Sequence, residues 1–141
     1  MKNKLFIFPA IIAVISFAGC SGNRLSSIEK ELVGDWNANY RVSSDGVQDI
    51  DLIDLTFNFN EDKSGAFWLD GSVITGYTWC FTEEVENGYE FALDSEGDFI
   101  FATLLTEESS KKAASALKVN DSVGELKIDF LSDDYYLSKK N

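Results

Sequence analysis

From Trp36 to the end of the chain, apolar residues recur at every second position in short runs, and the last proline is Pro9. Alternation with a period of two places one face of an extended segment on a core and the other in water. The first run, "WNANYRV", sets Trp36, Ala38, Tyr40 and Val42 on one face. The second sets Ile53, Leu55, Phe57 and Phe59 together, and the opposite parity of Ile50 and Leu52 predicts a bulge near residues 52 and 53. "AFWL" is a short third strand. A fourth, from about Val73 to Glu84, carries Tyr77, Trp79 and Phe81 on one face and Cys80 on the other. Tyr89, Phe91 and Leu93 mark a fifth strand, and "FIFATLL" (Phe99–Leu105), apolar on both faces, a sixth. Leu126, Ile128 and Phe130 make a seventh, and "YYLSKK" an eighth after a turn at Asp133 and Asp134. Asp70-Gly71 and Asn87-Gly88 are hairpin pairs, because both central residues of a tight hairpin turn need positive φ.

Helical periodicity survives in two places. Ser26 and Glu29 form a capping-box pair ahead of Ile28, Leu32 and Val33, and Gly34 ends that short helix. "TEESSKKAASALK" places acids first and lysines later, with Glu107–Lys111 and Glu108–Lys112 four apart. The expected fold is therefore all-β: an eight-stranded antiparallel up-and-down barrel with a short N-terminal helix and one helix before the last two strands. A two-sheet sandwich fits the same periodicity.

The first 19 residues read differently. Lys2 and Lys4 precede an uncharged run, "LFIFPAIIAVISF", that ends in Ala18 and Gly19. That is the layout of a secretory signal, and the run is short of the roughly 20 residues that cross a bilayer core. "Phe17-Ala18-Gly19-Cys20" resembles the lipobox of bacterial lipoproteins, with Phe17 where leucine is most frequent. The resemblance implies a signal peptide over 1–19, a lipidated Cys20, a tether over 20–27 and a domain over 28–141. Two or more acyl chains on one residue make such an anchor stable, since each buried methylene contributes only about 0.8 kcal/mol. Ser21 is like the residue that follows the cysteine in lipoproteins sorted to the outer membrane. "SGNRL" lacks the acidic tract of surface-exported ones, so the expected address is the outer membrane, facing the periplasm.

A second resemblance lies in "Leu32-Val33-Gly34-Asp35-Trp36". It is similar to the Gly-x-Trp opening of lipocalin-like domains, in which a helical turn leads into the first strand and the tryptophan plugs the barrel base. Small lipoproteins of Bacteroides-like bacteria share this opening and a run of hairpins. Gly34 and Trp36 are thus the expected base motif. Lipocalins proper hold a late arginine over the tryptophan, but this chain has none after Arg41, which leaves Lys139 or Lys140 for that place.

Removal of the signal leaves 122 residues and takes the formal net charge from −12 to −14. Such a chain repels nucleic acid, and a basic protein is the more plausible macromolecular partner. Catalysis has little to work with. The chain has no histidine, and lipidation of Cys20 leaves Cys80 as a lone thiol without a base, expected to serve as a small strand side chain. No catalytic residue, metal site or cofactor is expected. "NFNEDKSG" places Gly65 too late for an EF-hand loop.

The leading functional expectation is a binding module for a small apolar or amphipathic ligand. Its candidate lining is Phe57, Phe59, Trp68, Tyr77, Trp79, Phe81, Tyr89, Phe91 and Phe101. Eight strands also enclose an interior that these same rings would fill. The alternative is an acidic interaction or enzyme-inhibitor lipoprotein acting through loops 43–51 and 60–63.

Overall fold

The computed structural model describes residues 25–49, 55–119 and 122–140. The expected signal peptide, Cys20, the bulge near residues 52 and 53, and part of loop 43–51 lie outside them. In chain order the elements are α1 (Ser27–Leu32), β1 (Gly34–Ser43), β2 (Gly46–Asp49), β3 (Leu55–Phe59), β4 (Ser64–Leu69) and β5 (Ser72–Val85), then β6 (Gly88–Ser95), β7 (Asp98–Leu105), α2 (Glu107–Leu117), β8 (Leu126–Phe130) and β9 (Asp133–Lys139). All strand pairings are antiparallel; neighbours follow sequence order from β3 to β9, and β1 pairs with β2, β3 and β9, which closes the sheet. The fold is an eight-stranded up-and-down barrel with one additional strand. β2 and β3 both pair with the same long β1, through Tyr40–Ser43 and Gly34–Asn37 respectively, so they occupy one strand position in two pieces.

One end of the barrel is plugged. The Ser26 hydroxyl accepts from the Glu29 amide, and the Ser26 amide donates to Glu29 Oε1, a complete capping box that starts α1. α1 buries Leu32 completely. Trp36 Nε1 donates to the Leu32 carbonyl at 2.9 Å, and Lys139 Nζ lies 5.4 Å from the Trp36 ring centroid while donating to the Glu31 carbonyl. Lys139 thus holds the place over the tryptophan that the Gly-x-Trp pattern leaves to a late cation. A second tie is an ion pair between Lys63 Nζ and Glu29 Oε2 at 3.0 Å, in residues only 5% and 8% exposed.

Above the plug the interior is filled. Phe59, Trp79 and Phe91 meet edge to face, Phe57 stacks on Phe67 at 5.1 Å, and Leu93, Leu126, Ile128 and Leu137 close the gaps. These side chains stand on β3–β9 at the inward parity that alternation predicts. Gly65 makes room for one of them: a Cβ there would lie 2.5 Å from the Tyr77 ring. The Tyr77 hydroxyl donates to the Asn58 and Ala66 carbonyls, and burial pushes its pKa far up, so it remains a donor.

Three expectations from alternation fail, each for a local reason. Tyr40 and Val42 do not share the face of Trp36 and Ala38, because β1 shifts register against β9 between Ala38 and Tyr40. This bulge at Asn39 turns Tyr40 and Val42 outward, where they join Leu105, Ala114, Val123 and Tyr136 under α2. Trp68 and Phe101 are not lining residues either. Trp68 pairs with outward Thr56 and is 38% exposed, and Phe101 pairs with outward Ala92 and Asp129 and is 45% exposed. The "AFWL" and "FIFATLL" runs carry apolar residues at both parities, so alternation could not choose the face.

Cys80 does stand on the outer face of β5, paired with Ala92, but it is disulfide-bonded and not the lone thiol expected. Its outward position leaves the sulfur reachable from outside the barrel, and its partner lies outside the described residues.

Burial pushes the Glu29 carboxyl up, but the Ser26 amide, the Lys63 ammonium and the Ser26 hydroxyl outweigh it and hold the group below its ordinary value of 4.5. A depressed carboxylate pKa stabilises the fold above the unfolded value, and that contribution is lost as pH falls through the folded value. Denaturant unfolding should therefore show stability declining from about pH 4.5 downward, with a flatter profile in Glu29→Gln. Lys63→Met, which strands a buried carboxylate, should cost about 3 kcal/mol at pH 7. Equal pH profiles for Glu29→Gln and the parent would show that the pair does not hold the plug.

Candidate functional site

Among the described residues the end opposite the plug is open. The β4–β5 and β8–β9 turns reach this rim, and between them lies a cavity of about 480 Å³. Its floor is Leu55, Phe67, Phe130 and Tyr135, and its rim includes Leu69, Asp70, Ile74 and Leu131. Phe67 meets Phe130 edge to face at 5.2 Å, and Phe130 lies 6.2 Å from Tyr135, so the floor is the top layer of the aromatic core.

One charged side chain enters this apolar mouth because of the bulge at Asn39. Beyond the bulge, Arg41 takes the inward parity opposite Tyr135. Asp133 Oδ2 accepts from both Arg41 Nε and Arg41 Nη2 at 2.8 Å, which raises the guanidinium pKa and holds the side chain across the opening. The mouth thus offers apolar walls and one ion pair. That combination suits a molecule with an apolar body and a polar or anionic end.

The β8–β9 turn is strained. Alternation and composition place it at Asp133 and Asp134, but both belong to β9, and the turn residues are Leu131 and Ser132 with φ of 53° and 70°. Such turns favour Asn-Gly, because a Cβ is crowded in the left-handed region. A leucine held there and left 77% exposed at the lip of a cavity is poor for stability.

Of the nine residues expected to line a ligand site, Phe57, Phe59, Tyr77, Trp79 and Phe91 are buried inside as structural core, Phe81 and Tyr89 pack against that core, and Trp68 and Phe101 lie outside. The aromatic rows made the interior legible, but the mouth was missed. Its residues come from β1, β3, β4, β5, β8 and β9, and Arg41 reads as a solvent-facing residue unless the bulge is known. The only available signal was Leu131, an isolated apolar residue between a strand and an acidic pair.

Among the described residues no cluster of three or more His, Cys, Asp or Glu is placed to hold a metal ion, and no helix is long and apolar enough to cross a membrane. No family model matches the chain, and no curated protein or solved structure matches it significantly.

Replacing the strained pair by Leu131→Asn and Ser132→Gly should raise unfolding stability by about 1–2 kcal/mol, because the new residues adopt positive φ readily. Unchanged stability by urea denaturation would mean that the turn carries no strain.

Proposed function

We propose that this protein is an envelope lipoprotein, anchored through Cys20, whose barrel mouth binds a small amphipathic ligand. The observation that carries the reading is the cavity of about 480 Å³ above a filled core, apolar on its walls and crossed by a single ion pair. The ligand's apolar part lies on Phe67, Phe130 and Ile74, and its polar end meets Arg41. Pockets of this size take ligands of a few hundred daltons.

The described chain enters the barrel through α1, at the plugged base, so in this reading an anchor at Cys20 directs the mouth away from the membrane. The proposed address is the outer membrane, with the mouth facing the periplasm.

Two measurements test the parts of this reading separately. The full chain extracted from membranes should have the mass of a chain that begins at a lipidated Cys20. A chain of unlipidated precursor mass would overturn the lipoprotein assignment. For the mouth, titration with 1-anilinonaphthalene-8-sulfonate should give saturable one-to-one fluorescence enhancement, and Ile74→Asp should weaken it about tenfold or more. Enhancement that does not saturate, or that ignores Ile74→Asp, would remove the mouth as a ligand site.

A further inference from the structure

We propose that the outer wall formed by β1, β3 and β4 carries a second binding site, separate from the mouth, that takes a neutral saccharide. Its centre is Trp68. The chain has three tryptophans; Trp36 and Trp79 are 2% and 1% exposed, so Trp68 is the one whose indole meets solvent. Beside it runs a groove of about 360 Å³, lined among the described residues by Asp35, Thr56, Asn58, Trp68, Gly71 and Lys140.

Register explains the groove. Across the outer face one row reads Asn37, Thr56, Trp68, and the next row towards the base reads Asp35, Asn58, Ala66, Gly76. Of these residues Asp35, Thr56 and Asn58 line the groove beside the indole. Its polar end is already organised. Asn58 Nδ2 donates to Asp35 Oδ1 at 2.7 Å, fixing both planar groups, and Thr56 Oγ1 donates to Asn37 Oδ1 at 2.8 Å. The second Asp35 oxygen and the Asn58 side-chain Oδ1 remain as acceptors, and Lys140 supplies a donor at the base end of the groove.

An aromatic plate beside fixed acceptors and one donor matches the chemistry of a pyranose. The C–H face of the sugar stacks on the indole, and neighbouring hydroxyls donate to the carboxylate and carboxamide while accepting from the ammonium. Other ligand classes fit less well. One lysine beside an aspartate, in a chain of net charge −12, does not favour a phosphate or a nucleic acid. A purely apolar ligand would bury the remaining acceptor oxygens of the Asp35–Asn58 pair without donors.

The test uses the full chain and a set of methyl glycosides and disaccharides of glucose, galactose, mannose and N-acetylglucosamine, read by isothermal titration calorimetry. At least one should give a saturable change with Kd below about 10 mM. Trp68→Ala should weaken that binding about tenfold, Trp68→Phe should keep part of it, and Asp35→Asn should weaken it severalfold. Ile74→Asp, at the mouth, should leave it unchanged, which separates this site from the one proposed above. Absence of saturable binding across the set, or binding that survives Trp68→Ala, overturns the proposal.

Discussion

The seam between β1 and β9 is the pairing on which the rest of the molecule depends. An open eight-strand meander has two unpaired edges, and closure removes both by hydrogen bonding the first strand to the last. β1 must therefore serve two neighbours along its length while β2 and β3 share its other edge. It manages this by the bulge at Asn39, whose side chain donates to the Val123 carbonyl and the Ser138 hydroxyl across the seam. One extra residue changes the parity of everything after it. Before the bulge β1 feeds the core with Trp36 and Ala38. After it, β1 supplies Tyr40 and Val42 to the outer wall and Arg41 to the mouth.

That change of parity links closure to the two ends of the barrel. α2 has only a modest apolar face, Ala113, Ala114 and Leu117, and it needs an apolar patch on the wall to lie on. Tyr40, Val42 and Tyr136 make that patch, and the Ser110 hydroxyl fixes the helix by donating to the Gly124 carbonyl at 2.6 Å. The base is held by a different set of interactions, a local capping box together with a buried ion pair and a lysine over an indole that join segments far apart in sequence. Among the described residues no buried side-chain polar atom is left without a partner, so the plug and the wall are fully satisfied. The mouth carries backbone strain in the Leu131–Ser132 turn, and the base carries some at Lys63, with φ of 70°.

The two proposed sites use the surfaces that this arrangement leaves over. Eight strands give an interior just wide enough for side chains, and the aromatic rows fill it, so the free volume is pushed to the top layer. The outer wall is covered by α2 over β1 and β9 but not over β3 and β4. There Asp35, Thr56, Asn58 and Lys140 form a groove beside the partly exposed Trp68 indole.

What the sequence alone determined is the class of fold and the identity of most of the core. Alternation marks Phe57, Phe59, Tyr77, Trp79, Phe91, Leu126 and Ile128 as inward because each lies in a run with one apolar parity. Turn pairs and the capping box place the hairpins and both helices because those signals are local. The split of the second strand, the face of Trp68 and Phe101, the pairing of Cys80 and the entry of Arg41 into the mouth were decided by tertiary structure. Each depends on which residues stand opposite on a neighbouring strand or come close from a distant segment. A bulge or a doubly apolar run shifts that register without leaving a mark in the local pattern.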